Sequence, residues 1–240
     1  MSDGPPGGQG TTTVTALLGQ FWAKVLIGQS GGVTIGAITT AMLDVLPGLI
    51  ATLNSQYPHL TVSVKEIDSV DAVPALLAGE IDLAFARREG NLGKTIQARP
   101  LIQERLAVAL PCTHPAAGRL RVRLASMAED DFVMFSRRVS PVYFDHLIAT
   151  CQARGFSPRV VHEVSSVASR IAFVGCGQGI ALVPAILKKL ASQNVVVRPL
   201  AERLNVVTTA IAWNAARSNP WVAAVVSQIT AVAHSARGGQ

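Results

Sequence analysis

The sequence predicts an α/β protein made of two βαβαβ lobes joined by two hinge strands. Three observations carry this. First, short β-branched apolar runs alternate with helix-length amphipathic segments along residues 31–213. Second, Glu66-Ile67-Asp68-Ser69-Val70 returns 97 positions later as Glu163-Val164-Ser165-Ser166-Val167, within the same five-element order. Third, one strand and one helix remain after the second copy, so the chain can return to complete the first lobe.

Residues 33–38 (VTIGAI), bounded by Gly31 and Gly32, read as a buried strand. Thr39 and Thr40 offer N-cap hydroxyls for a helix to Gln56, with Leu46, Leu49 and Leu53 on its apolar face. Pro47 inside it predicts a kink or a later start, and Tyr57-Pro58 ends it. Residues 60–67 alternate as a strand, 70–78 form a helix closed by Gly79, and 81–86 are an apolar strand. The second copy has strands at 132–136, 159–164 and 180–183, with helices at 141–154 and 167–175. Strands at 194–200 and 206–213 follow, then a helix at 219–234 with Pro220 in its first turn.

With hinge crossings near 106–111 and 204–209, lobe one takes residues 31–109 plus 209–240 and lobe two takes 110–208. Two lobes on two hinges make a clamshell, whose cleft collects the carboxyl ends of both sets of strands. Residues 1–30 read as a Gly/Pro-rich leader followed by a short apolar helix at 15–29.

Composition removes several function classes. Of 240 residues, 49% are hydrophobic and 15% charged, so the chain has the apolar content to fold. Its apolar runs fall short of the ~20 residues of a membrane helix. Residues 1–30 carry no recognisable export signal, which predicts a cytoplasmic protein. The net charge of +6 comes from scattered pairs (Arg87-Arg88, Arg137-Arg138, Lys188-Lys189) without interleaved aromatics, so nucleic-acid contact by this chain alone is not expected.

Cys112, Cys151 and Cys176 show no C-x-x-C spacing, are odd in number and read as buried free thiols. The five histidines have no metal-ligand spacing, so no metal is expected. Gly175-x-Gly177-x-Gly179 follows a helix and precedes a strand, the reverse of a dinucleotide loop, and reads as a helix cap and turn. Cys176 and His162 could be drawn as a thiol–imidazole pair, but no acid or oxyanion hole accompanies them. Neither a cofactor nor catalysis is expected.

Several stretches together resemble the effector-binding domain of LysR-type transcriptional regulators. They are GVTIG (32–36), LPGLIATLNSQYPHLTVSV (46–64), LLAGEIDLAFARR (76–88), LAVALPCTHPAAG (106–118) and GCGQGIALVPA (175–185). FARR (85–88) and the helix of SPVYFDHLIATCQARGFSP (140–158) look like the branch that answers to aromatic-degradation intermediates. The resemblance implies Rossmann-like lobes in a type II periplasmic-binding-protein-like clamshell that senses a small organic acid, aromatic or dicarboxylic. It also implies self-association as a dimer or tetramer, through the helices at 40–56 and 141–154. DNA would be read only through a winged helix-turn-helix, a pattern these 240 residues do not contain, with 15–29 a stub of the linker helix.

Helix N-termini at the cleft suit a carboxylate. Thr39 and Thr40 are candidates there, against a simple capping role. Ser69 is weakened by its flanking Asp68 and Asp71, which would repel an anion, whereas Ser165 and Ser166 have no adjacent acid. Ser136, Arg137, Ser140 and Tyr143 form a fourth cluster, in which arginine could pair with a carboxylate and tyrosine stack on a ring. Arg87 ends a strand at the cleft, and by family analogy it is either part of a secondary acid pocket or a structural ion pair. Two rival readings share the fold: a solute-binding protein serving a transporter, and an interaction module with a vestigial cleft.

Overall fold

The structure is a computed structural model that describes residues 30–88, 90–205 and 208–237, with side chains described as far as Ile229. The leader and helix expected at 1–29, and Val206 and Val207 of an expected strand, lie outside the described residues.

In chain order, the first part holds β1 (Gly31–Ala37), α1 (Thr39–Leu43), α2 (Val45–Gln56), β2 (Leu60–Glu66), α3 (Ala72–Ala78), β3 (Leu83–Arg87) and β4 (Ile96–Ile102). The second holds β5 (Leu106–Pro111), β6 (Asp131–Phe135), α4 (Pro141–Gln152), β7 (Arg159–Val164), α5 (Val167–Gly175), β8 (Ala181–Pro184) and β9 (Val195–Pro199). The chain then returns through β10 (Thr209–Asn214) and α6 (Pro220–Arg237).

The first sheet runs β2-β1-β3-β10-β4. Its first three strands are parallel, and β10 is antiparallel to both neighbours. In the second lobe, β8-β5-β9 is antiparallel and β6-β7 is parallel. A Phe132–Ile180 bridge joins the two, with Val133 N–H donating to the Ile180 carbonyl and Ile180 N–H to the Asp131 carbonyl, each at 2.8 Å. The resulting order, β7-β6-β8-β5-β9, repeats the first sheet strand for strand.

Burial follows the strand period. On β5, Leu106, Val108 and Leu110 enter one core while Ala107 and Ala109 enter another across the sheet. That two-sided burial is why residues 106–110 read as a continuous apolar run. Lobe one has a single core in which α6 lies on the α2 side, with the Trp221 ring edge-on to Tyr57 at 5.4 Å.

Four expectations need correction. The helix expected from Thr39 to Gln56 breaks at Asp44, so Pro47 falls in the first turn of α2, where its missing N–H costs nothing. Thr39 and Thr40 are the first two residues of α1 and do not cap it; Ile38 occupies the cap position without a side-chain bond. The 109/110 boundary falls inside β5, which belongs wholly to the second sheet, so the crossings are the segments before β5 and before β10. These crossings bridge each other through Arg105 and Asn205, with Leu106 N–H bonded to the Leu204 carbonyl at 2.8 Å. Finally, β4 was not expected at all.

The glycine run behaves as a helix stop. Gly177, at φ 72°, donates to the Val174 carbonyl, and Gln178 donates to Phe173. Only Cys151 is a buried thiol; Cys112 and Cys176 are exposed, because each sits in a turn beyond the end of its element. The His162 ring packs on Phe173, with ring centres 4.9 Å apart. Among the described residues, no helix is long and apolar enough to cross a membrane.

The lobes also meet at the C-terminal end of α1. Lys189 Nζ donates to the Leu43 carbonyl at 2.8 Å, and Leu43 packs against the second-lobe core beside Ile186.

Candidate functional site

A cavity of about 400 Å³ opens between the lobes at the carboxyl ends of β1, β2, β3 and β6. Its size suits a small-molecule site. The first lobe lines it with Thr39, Thr40, Asp68, Ser69 and Arg87, and the second with Phe135, Tyr143, Ser165, Ser166 and Arg170.

Arg87 ends β3 with 7% exposure, and its Nη2 lies 3.6 Å from a Glu104 carboxylate oxygen. That distance leaves the ion pair loose, and Arg87 Nε has no hydrogen-bond partner. Burial pushes the Glu104 carboxyl above its ordinary range; Arg87 pulls it back and Asp44 adds to the rise. The Arg87 guanidinium lies 4.3 Å from the Tyr143 ring centre, so the two lobes touch at the cavity floor.

Arg170 was not anticipated. It rises from the buried face of α5 at 2% exposure, with Nε and Nη1 lacking any hydrogen-bond partner. Its guanidinium stands 5.2 Å from the Phe135 ring and 5.8 Å from that of Tyr143. Among the described residues, no carboxylate forms a salt bridge with it. Buried donors without partners cost roughly 1–3 kcal/mol each, which an arriving anion would recover.

The remaining candidates divide. Thr39 Oγ1 donates to Glu66 Oε1 at 2.8 Å, while Thr40 Oγ1 is buried and unpartnered. Ser69 Oγ accepts from Arg87 N–H at 3.3 Å. Ser166 caps α5, accepting from Ser169 N–H at 3.0 Å, so its hydroxyl is engaged by the helix. Ser165 is exposed at the rim. Tyr143 is fully buried, with its hydroxyl 3.5 Å from the Leu182 carbonyl.

Three members of the fourth cluster do not line the cavity. Arg137 is exposed and binds Asp145 bidentately at 2.8 and 2.9 Å, which holds the Asp145 carboxyl below its ordinary value. Ser140 is buried at the α4 N-terminus, and Ser136 lies in the turn after β6 with its carbonyl bonded to Val139 N–H. The turn at 136–140 carries these residues past the cavity and delivers only Tyr143. Three carboxylates complete the first-lobe wall: Asp68 half-buried, with Glu66 and Asp71 exposed. Burial, then repulsion from Asp71 and Glu66, lifts the Asp68 carboxyl above its ordinary range. Among the described residues, no His, Cys, Asp and Glu side chains gather into a metal site.

A hinged pair of Rossmann-like lobes with buried arginines in the cleft defines a small-molecule-binding clamshell of the type II periplasmic-binding-protein kind. The chain belongs to the LysR substrate binding domain family, which matches residues 27–233. It is 31% identical over 166 residues to the HTH-type transcriptional regulator TtuA of Agrobacterium vitis, covering 69% of this chain and 55% of that protein. It is 29% identical over 205 residues to the HTH-type transcriptional regulator IlvR of Caulobacter vibrioides, covering 85% and 68%. Thus the chain spans little more than half the length of the first of these relatives. The BenM effector binding domain with its effector benzoate shares the fold, at TM-score 0.75 and 23% identity over 87% of this chain and 94% of that one.

Proposed function

We propose that the chain is the non-catalytic sensing domain of a cytoplasmic transcriptional regulator, closing around a small organic anion whose carboxylate binds at Arg170. The observation that carries this is a buried arginine with unpartnered donors facing a cavity of about 400 Å³. Arg87 and Thr40 add a second donor set, and Phe135 and Tyr143 offer aromatic surface for a ring-bearing acid. Closure would act through self-association, changing the spacing of DNA-binding heads carried elsewhere in the regulator. A ligand moves the lobes only by its preference for the closed form.

The same edge position on β2 and β7 leaves Val64 and Val161 exposed at 40% and 42%, which supports pairing of copies along these edges together with α2 and α4. The test is thermal unfolding against carboxylates, with sugars as controls. A ligand at a hundred times its Kd adds ~2.7 kcal/mol, a rise of roughly 5–10 °C for a chain of this size. A rise confined to carboxylates and lost in Arg170→Met is the expected result. A rise with sugars alone would move the chain to the transport reading.

A further inference from the structure

The cavity is charged in two opposite senses, and a plain acid satisfies only one of them. The second-lobe wall brings Arg170, with its unpartnered Nε and Nη1. The first-lobe wall brings Asp68 inside and Glu66 and Asp71 at the mouth, facing the same space. The buried Glu104 carboxylate, 3.6 Å from Arg87 Nη2, offsets the Arg87 charge while leaving its Nε unpartnered, so the uncompensated charge is one cation, Arg170, on one wall and three carboxylates on the other.

A dicarboxylate that places one end on Arg170 carries its other charge toward the acidic wall. A monocarboxylate leaves that wall unanswered. A ligand with an ammonium at its second pole satisfies both walls, with charge-assisted hydrogen bonds at each end. We propose that the cleft takes an amphoteric ligand, a small organic acid bearing a protonated amino group, with its carboxylate on Arg170 and its ammonium against Asp68. This rests on the acid-sensing reading of the site and narrows it.

The apolar part of the lining fixes the rest of the ligand. Ile38, Ile67 and Val167 line the cavity beside Phe135 and Tyr143. An α-amino acid with an apolar or aromatic side chain fits this layout, its two charged groups dividing between the lobes. Because the carboxylate and ammonium anchors sit on different lobes, such a ligand bridges the cleft, and binding and closure become one event.

The experiment compares matched probes on the 240-residue chain by calorimetric titration and thermal unfolding. The probes are phenylalanine, hydrocinnamate and phenethylamine, then leucine, isocaproate and isoamylamine. The expected result is that at least one amino acid binds about tenfold or more tightly than its deaminated partner, the scale of one charged hydrogen bond. Asp68→Asn should then remove that advantage while sparing the deaminated acid, and Arg170→Met should weaken both. Glu66→Gln serves as the second variant if Asp68→Asn fails to fold.

Deaminated acids binding as tightly as their amino partners, with Asp68→Asn without effect, would overturn the amphoteric assignment and leave the acid-sensing reading standing. Binding of the amines alone, or silence from every probe at about 10 mM, would overturn both.

Discussion

The Arg87 guanidinium, carried on the first lobe, lies 4.3 Å from the centre of the Tyr143 ring on the second. Both groups are buried, so the contact works without water between the charge and the ring, where it is worth ~2 kcal/mol. Both groups line the cavity, so the contact joins the two lobes at the site itself. Tyr143→Phe keeps the ring and removes a hydroxyl bonded only at 3.5 Å, so urea unfolding should show a change below ~0.5 kcal/mol. Tyr143→Leu removes the ring and should cost about 2–4 kcal/mol, since a void also forms. Equal losses in the two variants would mean that the ring is not the Arg87 partner.

Arg170 separates stability from binding. It is a buried cation without a carboxylate partner among the described residues, so its burial carries a cost in stability. Arg170→Met keeps much of the side-chain length and removes the charge. The variant should unfold at higher urea, by about 1 kcal/mol or more, while losing response to carboxylates. A destabilised variant would show that Arg170 has a structural partner.

Glu104 makes stability depend on pH. Burial raises its carboxyl in the folded protein, against the pull of Arg87, so the native state holds this proton more tightly than the unfolded chain. Its contribution is therefore complete below the unfolded-state pKa and is lost as pH rises through the raised value. Asp68 acts with the same sign. In urea unfolding from about pH 4 to about pH 7, Glu104→Gln should lose less stability than the parent over the same rise. Parallel curves would show that Glu104 does not titrate in that window.

Arg137 provides the contrast with Arg170. Its bidentate pair with Asp145 is exposed and lies outside the cavity. Arg137→Ala should leave ligand affinity within twofold of the parent and stability nearly unchanged, as exposed pairs contribute little. A large affinity loss in calorimetry would return Arg137 to the site.

Gly179 holds the seam of the second sheet. Its φ is 133°, and a Cβ there would stand 2.6 Å from the Asp131 carbonyl oxygen, the same oxygen that accepts from Ile180 N–H. Gly179→Ala should cost about 2 kcal/mol or more, because strain and displacement of the β6–β8 seam add together. An unchanged urea midpoint would show that the seam yields freely.

Most of the fold was legible because its parallel strands are short apolar runs separated by helices of the right period. β4 was not, since IQARPLI carries Pro100 and alternates weakly. Such a strand is tolerable only at an edge, which is where β4 lies, next to β10 with a register shift. Thr39, Thr40, Ser69, Tyr143, Ser165 and Ser166 were legible as residues at helix N-termini and Arg87 as a strand end, and all seven line the cavity. Ser136, Arg137 and Ser140 lie off the cavity, which the sequence does not reveal because a turn's direction is not encoded in its composition. Arg170 left a usable signal: Val167, Arg170, Ile171 and Val174 follow the i, i+3, i+4, i+7 spacing of one helix face, so a cation stands where the core expects an aliphatic residue.

The placement of β10 between β3 and β4 has a consequence for synthesis. The first sheet lacks its fourth strand until Thr209–Asn214 has emerged, whereas every strand of the second sheet lies between Leu106 and Pro199. A ribosome adding about 5–20 residues per second therefore releases the second lobe's full complement first. The N-terminal lobe, with β3 and β4 held apart, waits unfinished for the tail that closes it, and a stop codon just before Thr209 would strand it open.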